Sequence, residues 1–127
     1  MFHLTVRDHV MIAHSLPHPS FGPAQNLHGA TYVVELTLWR ETLSPESIVI
    51  DIGEAADVLS NALGDLNYRN LDEHPDLAGT LTTTEAVAQL IAERVANSLR
   101  SRGGLAKLDV TLREHPDAWA GYTMTLD

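Results

Sequence analysis

The sequence predicts an α+β fold in which a four-stranded antiparallel sheet carries two helices on one face, in the order β-β-α-α-β-β. Three observations predict it. Apolar residues alternate near both ends of the chain, they recur at helical spacing in the middle, and clusters of Pro, Gly, Asn and Asp punctuate the changes from one period to the other. With 127 residues the chain has the size of one ordinary domain, so residues 1–127 are read as a single unit around one core.

The first strand lies within residues 2–14, where Phe2, Leu4 and Val6, then Val10 and Ile12, lead on one side towards His14. SLPHPSFGPAQN, with three prolines and a glycine, is a loop. The second strand follows in ATYVVELTLW, with Tyr32, Val34, Leu36 and Leu38 on one face, and the two form a long antiparallel hairpin. After ETLSPES and the apolar stretch IVIDI, the residues Ala55, Val58, Leu59, Ala62 and Leu63 mark a helix over about 53–65.

NYRNLDEHPDLAGTL is rich in turn formers and is expected to cross the surface. A second helix then starts at Thr82, Thr83 or Thr84, any of which can cap it. It repeats Val87, Leu90, Ile91, Val95 and Leu99 on one stripe until Gly103 and Gly104 end it. LAKLDVTLREH alternates Leu108, Val110 and Leu112 as a third strand, HPDAWAG turns, and GYTMTL is the last strand. A sheet this small leaves two open edges, which neighbouring subunits can cover.

Composition narrows the function classes. Asp and Glu outnumber Lys and Arg by 17 to 8, a formal charge of −9 with no basic stripe, so nucleic acid and anionic membranes are not expected partners. No apolar run approaches the ~18 residues of a membrane span, and the N-terminal segment lacks the pattern of a signal peptide, which leaves the cytoplasm as the expected compartment. Cysteine is absent, which removes disulfides, thiolate metal sites and cysteine nucleophiles.

Four stretches in order, IAHSL, LHGATY, VIDIGEAADVL and TTTEAVAQLIA with LREHPDAWAGY beyond, resemble the 6-pyruvoyltetrahydropterin and 6-carboxytetrahydropterin synthases across nearly the whole chain. The resemblance implies a T-fold in which three subunits close a twelve-stranded barrel and two barrels stack into a homohexamer, a dimer of trimers. In that family a histidine after the first strand and the two histidines of a His-Gly-His unit hold a catalytic zinc. Here they correspond to His14, His28 and Ala30, so one ligand is gone and the other two are vestigial.

The family's catalytic cysteine, four residues before His-Gly-His, corresponds to Ala24, and its Asp-His pair in the pattern Leu-Asp-His-x-x-Leu-Asn corresponds to Asn67 and Tyr68 of LNYRNLD. Asn carries no titratable proton and Tyr, with a reference pKa near ~10, is a poor base at neutral pH. The zinc-dependent reaction is therefore expected to be lost, with no metal and no cofactor bound.

The recognition half of the site matches the family. Glu114, at the end of the third strand, corresponds to the glutamate that anchors the pterin ring, and a carboxylate suits two parallel N–H donors. Thr83, Thr84 and Glu85 correspond to a run that in the family supplies further contacts from a neighbouring subunit, so Glu114 and the threonines are expected from different chains.

The residues also permit plainer readings. Glu114 fits a solvated strand end, and the threonines fit a helix cap. His18 and His9 are spare donors without fixed geometry, and His74 and His115 read as surface residues. Lys107, the only lysine, lies seven residues before Glu114, roughly 23 Å along a strand, and does not reach the same ligand within one subunit.

The expected function is binding of a pterin-like heterocycle at a subunit interface without synthase activity. Two alternatives stay open. One is a metal-independent lyase or isomerase step on such a ligand, using His14, His28 or Tyr68. The other is a non-catalytic structural or regulatory subunit.

Overall fold

The computed structural model describes residues 1–126. Strands β1 (Phe2–His14) and β2 (His28–Arg40) form the first hairpin, β4 (Lys107–His115) and β5 (Ala118–Thr125) the second. Helices α1 (Ile52–Leu63) and α2 (Thr84–Leu99) lie between them, with a two-residue strand β3 (Arg69–Asn70). The sheet runs β3-β1-β2-β4-β5. The four long strands are antiparallel as expected, and β3 adds a short parallel pairing to β1.

Residue parity decides what faces the helices. On β2 the residues Tyr32, Val34, Leu36 and Leu38 are fully buried, and on β4 so are Leu108, Val110 and Leu112. Against them α2 presents Val87, Ala88, Ile91, Ala92, Val95, Ala96 and Leu99, and α1 presents Ala55, Leu59, Ala62 and Leu63. The small alanines let α2 approach the sheet closely. The other face of the sheet carries polar cross-strand rows, one of which joins Arg7 to Glu35 at 2.9 Å and Glu35 to Arg113 at 2.8 Å. The Arg113 guanidinium stacks over the indole of Trp119 at 4.3 Å.

Capping explains where the helices begin. The Asp51 carboxylate accepts from the Glu54 N–H at 3.0 Å, and the Thr83 hydroxyl accepts from the Ala86 N–H at 3.2 Å, so Thr83 is the cap among the three threonines. Beyond Arg102 the chain turns through Gly103 and Gly104 with φ of 73° and 84°. A Cβ on Gly104 would lie 2.9 Å from the Arg40 guanidinium, so the position is short of space as well as left-handed.

Three expectations are corrected. The segment 67–81 does not simply cross the surface, because it buries Leu71 and Leu77 and forms β3. The last turn is tighter than expected: only Pro116 and Asp117 separate β4 from β5, and His115 Nδ1 accepts from the Asp117 N–H at 3.1 Å. His74 is not a surface residue. Its side chain is 10% exposed, its Nε2 donates to Asp65 at 3.0 Å, and its Nδ1 accepts from the Asp76 N–H at 3.1 Å. The Asp76 N–H at the start of the following 3-10 turn and the Asp65 carboxylate together draw that ring inward. Among the described residues no helix is long and apolar enough to cross a membrane.

Candidate functional site

A cleft of about 540 Å³ opens where the end of β1, the start of α2 and the end of β4 meet, lined by His14, Leu16, Phe21, Ala24, Thr83, Thr84, Glu85 and Glu114. The topology brings them together. β4 runs back along α2, so its last residues return to the helix start. The 15–27 loop, folded by the Leu16 N–H to Ala24 carbonyl bond of 3.0 Å, closes the third side.

Glu114 owes its position to a break in the ladder. Arg113 pairs with Trp119 and His115 with Ala118, so the register shifts across Glu114. The carboxylate then lies beside the α2 start, where Thr84 Oγ1 donates to its Oε2 at 3.0 Å. A smaller hollow of about 200 Å³, lined by Thr84, Glu85, Glu114, Ala118, Trp119 and Ala120, adjoins on the β5 side.

The contact between Thr84 and Glu114 corrects the expectation that the threonine run and the glutamate come from different chains. Both belong to one wall of the same cleft in the same chain. Thr83 divides its role, since its hydroxyl caps α2 and its side chain lines the cleft.

The histidine pair is more ordered than the sequence indicated. His14 is 2% exposed, and its Nδ1 lies 2.8 Å from the Thr82 carbonyl oxygen. A carbonyl only accepts, so Nδ1 carries the proton, and in the neutral ring Nε2 keeps a bare lone pair. That Nε2 is buried without a partner. His28 repeats the arrangement, with Nδ1 donating to the Asn26 carbonyl at 2.8 Å, and its ring meets that of His14 edge-on at 4.5 Å.

Both rings thus hold the tautomer suited to a metal ligand. The set still falls short of a catalytic zinc, which takes three protein ligands plus an open position. Ala30, two residues beyond His28 on the same face of β2, offers a methyl group. Among the described residues no three His, Cys, Asp or Glu side chains are grouped to hold an ion. His18 bonds its neighbour Ser20 and is not among the cleft-lining residues.

Asn67 and Tyr68 are not brought to the cleft. Asn67 Oδ1 accepts from the Met11 N–H at 2.9 Å, and the Tyr68 N–H donates to the Met11 carbonyl at 2.6 Å, which fixes both at the β1 edge of the sheet. Tyr68 is 78% exposed and has φ of 61°. Lys107 is at the far end of β4 over the Trp39 ring, away from Glu114.

Sequence reasoning missed Tyr32, Asp72 and the full role of Thr82. Tyr32 was read as core alone. Its fully buried hydroxyl has no hydrogen-bond partner of good geometry. Burial pushes the phenol pKa up; the Thr84 hydroxyl beside it acts the other way, and the charges of Glu114 and Glu85 push further up. Asp72 accepts from the Ser15 N–H and hydroxyl and from the Thr82 hydroxyl. The signal for it was present, since Asp72 stands where the Leu-Asp-His-x-x-Leu-Asn pattern ends in Asn.

Comparison with known proteins gives these positions a context. The family model for 6-pyruvoyl tetrahydropterin synthase matches residues 3–125. A 6-carboxy-5,6,7,8-tetrahydropterin synthase of Bacillus subtilis is 26% identical over 126 residues, covering 95% of this chain and 84% of that protein. The solved 6-pyruvoyl tetrahydropterin synthase of Caenorhabditis elegans superposes with a TM-score of 0.84 at 26% identity, covering 98% and 96% of the two chains. That of Plasmodium falciparum, at 17% identity and a TM-score of 0.77 with 98% of each chain covered, shares the fold.

Proposed function

The chain belongs to the 6-pyruvoyl tetrahydropterin synthase family, and from that premise we propose that it binds a pterin-like heterocycle in the Glu114 cleft without carrying out zinc-dependent synthase chemistry. The observation that carries this reading is the pairing of Thr84 with Glu114 at the mouth of a 540 Å³ cleft. It puts an acceptor of two parallel N–H bonds beside hydroxyls and the N-terminal N–H groups of α2, the complement of a ring edge with both donors and acceptors.

Four residues support the loss of the synthase reaction. Ala24 has no nucleophile or base to offer, Ala30 leaves two histidines where three ligands are needed, and Asn67 and Tyr68 cannot supply a carboxylate and an imidazole. The homohexamer is part of the same reading. The sheet ends at β5 on one side and at the short β3 on the other, and three copies joined edge to edge would place twelve long strands in a closed barrel.

A metal-independent isomerase or lyase step is the second reading, favoured by one observation: the buried, unpartnered Nε2 of His14 on the cleft wall is a base without an assigned proton. Calorimetric titration of the purified protein with pterin, with and without added zinc, tests the leading proposal. Zinc-independent binding that Glu114→Gln abolishes is expected; binding that requires stoichiometric zinc would overturn it. Turnover of a dihydropterin in the presence of chelator would favour the second reading.

A further inference from the structure

Asp72 lies outside the cleft lining, yet its one carboxylate joins the two segments that build the cleft. Oδ2 accepts from the Ser15 N–H at 2.8 Å and from the Ser15 hydroxyl at 2.6 Å, and Oδ1 accepts from the Thr82 hydroxyl at 3.2 Å. Ser15 follows His14 at the end of β1, and Thr82 precedes the cap of α2. Asp72 is itself held by its N–H, which donates to Asn70 Oδ1 at 3.0 Å beside β3.

The chain of bonds has one direction. The Thr82 hydroxyl gives its proton to Asp72 and therefore presents only lone pairs to His14, whose Nδ1 lies 3.2 Å from that oxygen and 2.8 Å from the Thr82 carbonyl. Two acceptors on one residue converge on the same imidazole N–H. Thr82 is 1% exposed and His14 2%, so no water competes for this proton, and the ring's remaining nitrogen, Nε2, is buried without a partner. A buried acceptor left unsatisfied destabilises the free protein, and a donor arriving with a ligand removes that cost.

We propose that Asp72 is a positioning residue which, acting through Thr82, fixes His14 in the cleft wall with Nε2 as its bare acceptor, a nitrogen that a bound ligand reaches once the side chains now covering it move aside. The inference rests on the reading of the cleft as a heterocycle site and adds to it the chemistry of one more contact, an N–H or O–H group on the ligand. A carboxylate at position 72 sets the direction of the chain because three donors converge on its two oxygens. An Asn there would offer an amide N–H to Thr82, whose hydroxyl would then turn to accept it and no longer present only lone pairs to His14.

The test uses the full-length protein and four variants: Asp72→Asn, Thr82→Val, Thr82→Ser and Glu114→Gln. The first readout needs no ligand. The His14 imidazole N–H, buried and doubly accepted, should give a slowly exchanging downfield proton resonance in wild type. It should be lost or exchange about tenfold faster in Asp72→Asn and Thr82→Val, and return in Thr82→Ser, with circular dichroism confirming the fold in each.

The second readout is pterin affinity by calorimetry, expected to weaken about tenfold in Asp72→Asn and Thr82→Val, equivalent to ~1.4 kcal/mol, and to recover in Thr82→Ser. Variants that keep both the protected resonance and the affinity overturn the assignment of Asp72. Should wild type fail to bind pterin, or Glu114→Gln bind it undiminished, the heterocycle reading falls. The imidazole resonance then decides the positioning role alone, and the ligand contact falls with the reading.

Discussion

Thr84 and Glu114, thirty residues apart in the chain, meet across a 3.0 Å hydrogen bond that joins the first residue of α2 to the displaced end of β4. The bond occupies one carboxylate oxygen of an exposed side chain, and in the proposed complex a ligand bringing two N–H donors would take its place. Glu114→Gln is therefore expected to lower pterin affinity at least about tenfold, since the amide exposes a donor where two acceptors are needed. Thermal stability should hardly move, because the group is solvent-exposed. Calorimetry beside a melting curve separates the two effects, and equal affinity in both proteins would remove Glu114 from the site.

Tyr32 invites the opposite pattern. Its hydroxyl is buried without a partner of good geometry, so Tyr32→Phe removes a group that contributes little and is expected to leave unfolding free energy unchanged or raised. A hydroxyl engaged in a normal buried bond would instead cost ~1 kcal/mol on removal. Urea unfolding distinguishes these, and a clear destabilisation would mean that Thr84 or a bound water satisfies the phenol.

The histidine pair lacks one donor. Ala30 shares the helix-facing side of β2 with His28, and β1 pairing sets His28 against His14. Ala30→His should complete a three-nitrogen set and strengthen zinc binding by about a hundredfold or more. Competition against a chromogenic chelator measures it. Tight zinc binding by wild type would show that another side chain already serves as the third ligand.

Acid stability should depend on Asp65. The Arg94 guanidinium bonded to Asp65, with His74 adding to its effect, holds the Asp65 carboxyl at about 2 against its usual 3.8 although partial burial opposes this. A depressed folded-state pKa contributes stability that is full above the unfolded value and is lost as pH falls from roughly 4 through 2. Asp65→Asn is thus expected to be less stable than wild type at pH 7 and to converge with it near pH 2. A gap that persists to pH 2 would assign the loss to packing.

Much of the fold was legible because parity and helical spacing are strong signals where one face is buried. Tyr32, Val34, Leu36 and Leu38, the α2 stripe, and Leu108, Val110 and Leu112 all lie where alternation put them. The 67–81 segment was not legible, because Leu71 and Leu77 enter the core from turns, where no period announces a buried face. His74 was misread for the same reason: a histidine among Asp, Glu and Pro looks solvated until the Asp65 carboxylate and the Asp76 N–H claim its two nitrogens.

Within the site, the residues matched by family resemblance, His14, Ala24, Thr83, Thr84, Glu85 and Glu114, gather in one cleft. What sequence could not give was the tautomer of His14, which depends on a carbonyl sixty-eight positions away. Nor could it show that Glu114 and the threonines share a chain, which follows from β4 running back along α2.

The shifted register at Glu114 has an arithmetical consequence. Leu108, Val110, Leu112 and Glu114 are all even-numbered, and the odd-numbered Arg113 belongs to the polar face, stacked on Trp119. Deleting Arg113 would exchange the two sides, carrying Glu114 to the polar face and offering the His115 imidazole to the helix start in place of a carboxylate. The cleft would then meet a ligand with an imidazole, one donor and one acceptor, where it now has a carboxylate that only accepts. The preference of this cleft is therefore written in the count of residues along β4 as much as in their identity, and a change of frame, with no substitution at all, would take its carboxylate away.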